Sequence, residues 1–249
     1  MEYEFMLRSA KELFGYKLIA NDGKIGSVRD LIFDERSSTI RYIVADTGGW
    51  LTGRRVLLSP ASFGTPDWRE QAIPVSLTKE QIEGSPEIDE DQTVSRQNEV
   101  ELGRYYGWPA YWAAAPEAGG YIAAPLPESL PGEAQGQSKP ESHLRSMREV
   151  MGYHIQAVDG EIGHVDDFVF QDETWINRYM VVDTRNWLPG RKVLVSPLWI
   201  QEIDWQDRKV HVNMMQESIR QAPEFDATEP VNRDYEVRLF DYYGRPKYW

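Results

Sequence analysis

Short runs of alternating apolar and polar residues, each closed by turn residues, recur along this chain and predict strands more often than helices. Tyr16–Ala20 and Ile25–Phe33 flank Asn21-Asp22-Gly23, whose Asp-Gly pair supplies the positive φ angles of a tight hairpin turn. Gly26, inside the second run, marks a bulge or a close backbone approach of the kind that curls a sheet. Ile40–Asp46 reads as a third strand and Arg54–Leu58 as a fourth, stopped by Ser59-Pro60. Trp199–Trp205 and Lys209–Met214 flank Gln206-Asp207-Arg208 as a further hairpin. Its earlier counterpart is interrupted by Pro66 and Pro74, which confine those strands to edges or ends. Thr78–Glu83 and Gln216–Gln221 each predict a short helix. Ser95 and Asn232 are N-caps for helices over Arg96–Tyr106 and Arg233–Tyr243, with Gly107 and Gly244 as their stops.

The recurrence has a period. Gly15–Trp112 aligns without a gap onto Gly152–Trp249 at an offset of 137, with roughly 42 of the 98 pairs identical. Three domains follow: a first repeat with its helix and aromatic tail (1–112), an Ala/Pro/Gly-rich linker (113–143), and a second repeat of the same plan (144–249). Within the linker, Tyr121, Ile122, Leu126 and Leu130 are able to dock onto a neighbour. Five or six short strands in each repeat predict a mainly β fold of two small antiparallel barrels from an internal duplication, each followed by short C-terminal helices.

Composition narrows the chemistry. The chain has 249 residues, no cysteine and a formal charge of −13, which excludes disulfides, thiolate metal sites and a cysteine nucleophile. The acidity is spread over both repeats and the linker, so direct nucleic-acid binding is disfavoured. The N-terminus has no apolar run of signal-peptide length and nothing resembles a spanning segment, so a cytoplasmic chain without membrane insertion is expected. Of the four histidines none is duplicated. His154 and His164 flank one hairpin and can face each other, but further metal ligands are not evident, and exposed strand residues are the simpler reading. The duplicated acids have turn, cap or ion-pair explanations, and no phosphate-binding glycine loop is present. No catalytic residue, cofactor or metal is expected.

Two features are candidates for binding. The loop Asp46–Leu57 joins Trp50 to Arg54 and Arg55 in the first repeat, and its counterpart Asp183–Leu194 joins Trp187 to Arg191 and Lys192 in the second. Tryptophan and arginine dominate interface hot spots; the alternative is a Trp that plugs the barrel end beside solvated bases. The tails are the second candidate: Tyr105, Tyr106, Tyr111 and Trp112, matched by Tyr242, Tyr243, Tyr248 and Trp249. They cover their own barrel or lock copies together within or between chains.

The arrangement resembles the PRC-barrel family. Gly15, Asp22-Gly23, Ile25-Gly26, Val28, Asp30, Phe33, Arg41-Tyr42, Val44 and Val56-Leu57 carry the pattern in the first repeat. Gly152, Asp159-Gly160, Ile162-Gly163, Val165, Asp167, Phe170, Arg178-Tyr179, Val181 and Val193-Leu194 carry it in the second. That family includes the cytoplasmic portion of the photosynthetic reaction centre H subunit and the C-terminal domain of a ribosome maturation factor. This chain lacks the membrane helix of the one and the separate N-terminal barrel of the other. It is similar to bacterial tandem PRC-barrel proteins ending in YYGxPxYW. The resemblance implies a non-enzymatic scaffold or docking module with an unidentified protein partner. The repeats are expected to pair about a pseudo-twofold, with a homo-oligomer as a further option. A ribosome- or RNA-processing-associated factor, and a soluble subunit docking onto a photosynthetic-type membrane complex, are the alternatives.

Overall fold

The Asp-Gly turns, caps and stops place the elements much as the pattern predicts. A computed structural model describes residues 6–51, 53–86, 94–113, 143–184 and 191–249. In the first repeat the strands are β1 (Leu7–Ser9), β2 (Lys17–Ala20), β3 (Gly23–Asp34), β4 (Thr39–Asp46), β5 (Arg55–Leu58) and β6 (Ala72–Pro74). Its helices are α1 (Ala10–Leu13), α2 (Lys79–Glu83) and α3 (Arg96–Tyr106). The second repeat follows with β7 (Leu144–Ser146), α4 (Met147–Val150), β8 (His154–Ala157), β9 (Gly160–Gln171), β10 (Ile176–Asp183), β11 (Lys192–Val195), β12 (Ile200–Asp204), β13 (Lys209–Val212), α5 (Gln216–Arg220) and α6 (Arg233–Tyr243). The fold is mainly β, with six short helices among the described residues.

The chain forms two compact units whose boundaries are not those of the repeats. The C-terminal unit takes Ser146–Trp249 together with Met1–Phe14 and Phe33–Ile40; the N-terminal unit takes Gly15–Ile32 and Arg41–Arg145. In the C-terminal unit the strand order is β12-β13-β8-β9-β10, with β1 on β9 and β11 on β10. In the N-terminal unit it is β4-β3-β2-β6, with β5 on β4 and β7 on β3.

Two corrections to the expected antiparallel barrels follow. First, β6 pairs β2 in parallel (Lys17 opposite Ala72), and β13 pairs β8 in parallel (Lys209 opposite His154). Parallel partners need a long crossover, which the intervening hairpins supply. Second, the hydrogen-bonded path is open among the described residues, ending at β12 and at β6. β6 is three residues long and finishes at Pro74, which has no N–H to donate. β12 presents exposed Gln201 and Glu202 at its edge.

Glycine is required where two strands press together. A Cβ at Gly26 would lie 2.0 Å from the Asp46 carbonyl oxygen, and one at Gly163 would lie 2.1 Å from that of Asp183. Their φ angles, +147° and +65°, further exclude ordinary side chains.

The sequence pattern missed the N-terminal strand of each repeat. β1 pairs β9 with Leu7 opposite Gln171 and Ser9 opposite Val169. Ser9 caps α1 by accepting from the Glu12 N–H, and its hydroxyl donates to Asp167 Oδ2 at 2.5 Å. Asp167 also accepts from the Lys11 and Phe168 backbone N–H groups. Burial nonetheless outweighs these donors and pushes the Asp167 carboxyl up from its ordinary value.

The segment Phe33–Ile40 meets the corresponding segment of the second repeat inside the C-terminal unit. Thr39 is the partner of Ile176. The Ile40 N–H donates to the Trp175 carbonyl at 2.8 Å, and the Asn177 N–H donates to the Ser38 carbonyl at 2.7 Å. Each of these positions lies 137 residues from its counterpart, so the pairing is reciprocal.

Candidate functional site

The bases of the Trp/Arg loop are held internally. Thr47 Oγ1 donates to the Arg54 carbonyl, and Thr184 Oγ1 to that of Arg191, closing the loop at its base. The Arg54 guanidinium donates to the carbonyls of Glu83 (2.9 Å), the last residue of α2, and of Ser85, just past it. Arg191 reaches the equivalent Ala222 carbonyl past α5 at 2.5 Å. Arg55 is half-buried, and Lys192 lies 2.8 Å from Asp166. Lys11 holds the other oxygen of Asp166 at 2.6 Å. Burial raises the Asp166 carboxyl, but these two ammoniums outweigh it and leave it below its ordinary value. Trp187 and the side chain of Trp50 lie outside the described residues, as do linker residues 114–142.

Each aromatic tail folds onto its own repeat around a buried glutamate. Glu99 and Glu236 sit one turn into α3 and α6, each with 2% of its surface exposed. Ser95 and Asn232 cap those helices and so set which way the glutamates face. Glu236 Oε1 accepts from the Tyr179 and Tyr248 hydroxyls, both at 2.6 Å, while Oε2 lies 3.0 Å from Arg233. Glu99 repeats this with Tyr42 (3.2 Å), Tyr111 (2.5 Å) and Arg96 (2.7 Å). Arginines then cover the tail rings: Arg41 over Tyr111, Arg178 over Tyr248, Arg96 over Trp112 and Arg233 over Trp249, all within 4.3 Å of the ring centres. Burial, then the Glu236 carboxylate, pushes the Tyr248 hydroxyl up to about 12. The Tyr42, Tyr111 and Tyr179 hydroxyls are raised by the same causes.

The remaining tail rings pack locally. Tyr105 and Tyr242 are partly exposed and donate to the Gln81 and Ser218 carbonyls. Tyr106 stacks on Trp108 and Tyr243 contacts Trp199, with ring centres 4.3 Å and 4.6 Å apart. Tyr111, Trp112 and Tyr248 are half-buried, and Trp249 keeps an exposed edge.

A different surface emerges that the sequence pattern did not single out. Leu198, Val158 and Met215 are 74%, 64% and 50% exposed, all in the second repeat. The Val158 N–H donates to the Met214 carbonyl, and the Gln216 N–H to Asp159, so the β8–β9 turn lies against the start of α5. Leu198 precedes Trp199, whose carbonyl accepts from Asn213 two residues before Met215. The first repeat carries Asn21, Ala61 and Thr78 at these positions. Thr78 closes a capping box on α2, whereas Met215 begins α5 with no side-chain cap. An apolar residue at a helix N-cap was the available sequence signal, since such a residue forgoes a bond worth about 1 kcal/mol.

Fold and site together define a mainly β module of strand hairpins, steadied by buried polar clusters. Residues 7–81 match the family model of the PRC-barrel domain. The matched segment includes β1, the strand that pairs with β9. A stretch of 75 residues is 37% identical to an uncharacterised protein of Deinococcus radiodurans, covering 30% of this chain and 27% of that relative. The chain thus spans only about a quarter of that relative's length. No helix among the described residues is long and apolar enough to cross a membrane.

Proposed function

We propose that this protein is a non-enzymatic docking module built by duplication from two PRC-type repeats, with its protein-binding face on the second repeat around Val158, Leu198 and Met215. One observation carries the reading: three large apolar side chains stand in water where the duplicate has smaller or polar residues, one of them at the expense of a helix cap. Exposed apolar clusters of this kind mark interaction sites. The tails and the arginine loop contribute rigidity, because their polar groups are held within the repeats.

Replacing Val158→Asn, Leu198→Ala and Met215→Thr together installs the residues of the first repeat and leaves the fold intact. In affinity capture from native lysate, a partner held by the wild type is lost in this variant. Retention of every partner by the folded triple variant refutes the assignment of this face.

A further inference from the structure

Three adjacent strands of the C-terminal unit carry a row whose two histidines the first repeat does not share. His154 and His164 are partners across β8 and β9, and His164 is the partner of Asp183 across β9 and β10. Opposed residues project from the same face of a sheet. The β9–β10 register shifts where Val165 faces Val182 and Asp167 faces Val181, leaving Asp166 as the extra residue of a bulge. Bulges re-aim side chains, and this one brings Asp166 to His164. One ligand atom from each of His164, Asp166 and Asp183 lies within 4.8 Å of the others. Asp183 is fully buried, and His164 and Asp166 are half-buried.

We propose that His164, Asp166 and Asp183 bind a divalent transition-metal ion of the zinc type, with His154 as a further imidazole donor. One imidazole nitrogen with two carboxylate oxygens favours zinc, nickel or copper over magnesium, which prefers an all-oxygen octahedral shell. Three protein ligands in a tetrahedral site leave a fourth position for His154 or water. Both Asp166 oxygens carry ammonium groups, Lys11 at 2.6 Å and Lys192 at 2.8 Å, so a bound ion takes the place of one of them. Lys11 is the group that leaves, because its side chain is 45% exposed against 32% for Lys192 and is more readily rehydrated.

The first repeat shows what the site looks like without its ligands. Lys17, Ser27, Arg29 and Asp46 stand at the positions of His154, His164, Asp166 and Asp183. Arg29 lies 3.7 Å from Asp46 and supplies in protein form the positive charge that the metal supplies in the second repeat.

Calorimetric titration of the full chain with zinc chloride, and in parallel with magnesium chloride, tests the site. The wild type takes up one equivalent of zinc and shows no heat with magnesium. His164→Ser installs the first repeat's residue and lowers zinc affinity by about 100-fold or more. Circular dichroism confirms that this variant is folded. Absence of zinc uptake by the wild type up to about 1 mM, or unchanged affinity in folded His164→Ser, overturns the proposal.

Discussion

The two repeats share a frame and differ at its rim. Gly26/Gly163, Tyr42/Tyr179, Glu99/Glu236 and the tail rings are identical and make the same bonds in each copy. One frame position is filled differently. Trp108 is buried in the first repeat, where its Nε1 donates to Ser62 Oγ at 2.6 Å. In the second, Arg245 replaces Trp108 and Trp199 replaces Ser62. The indole now arrives from the other side of the contact, against Tyr243, the duplicate of Tyr106. Packing requires a ring in that place and is indifferent to which element carries it. At the surface no such compensation operates, and the apolar cluster and the His/Asp row occur in one copy alone.

The shared frame is tested most severely at its glycines. Gly163→Ala and Gly26→Ala each drive a Cβ to about 2 Å from a backbone carbonyl at a positive φ. Neither strand can retreat without losing its ladder, so each substitution should destabilise the protein by about 3–5 kcal/mol in urea unfolding. Similar losses in both copies support a common frame. A loss below about 1 kcal/mol in one of them would show that its strands are not pressed together there.

The glutamate hubs come next. Glu236→Ala leaves the Tyr179 and Tyr248 hydroxyls without their acceptor and Arg233 without its anion, and Glu99→Ala does the same in the first repeat. Because the arginines are partly exposed, the expected loss is about 2–3 kcal/mol, below that for a fully buried pair. The hubs also set an alkaline limit. The folded-state pKa of Tyr248, about 12, lies above that of a tyrosine in an unfolded chain. Its contribution is therefore fully present below about pH 10 and is lost as pH rises toward 12. Tyr248→Phe should flatten the fall in stability over that window, measured by chemical unfolding at stepped pH. An unchanged slope would place the Tyr248 proton outside the hub.

How much of this was legible follows from the range of the interactions. The hairpins, the caps at Ser95 and Asn232 and the stops at Gly107 and Gly244 are local events encoded within a few residues, and they are found where the pattern put them. The pairing of Leu7–Ser9 with Val169–Gln171 is not local. Three residues with no alternation carry no strand signal, and their partner lies about 160 residues away. The parallel pairs escaped for the same reason. Glu99 was legible as a helix-start acid, but its burial depends on Tyr42 from a distant strand. The Trp/Arg loop looked like a hot spot because residue type carries no record of what a guanidinium touches. Arg54 and Arg191 bind the Ser85 and Ala222 carbonyls just past the short helices.

The smallest change isolates the difference between copies most cleanly. Thr78 accepts from the Gln81 N–H and closes a capping box, while Met215 offers α5 nothing. Met215→Thr should therefore stabilise the second repeat, and Thr78→Met should destabilise the first, each by about 1 kcal/mol. Only if the uncapped helix serves binding does the stabilising exchange carry a functional penalty. The decisive pattern is opposite signs: Met215→Thr raises the unfolding midpoint and weakens capture of the partner, whereas Thr78→Met lowers the midpoint and leaves capture intact. Parallel changes in stability and capture would instead mean that binding reports the folded fraction alone. In that case the methionine is a tolerated replacement, and the difference between the repeats at this rim is drift.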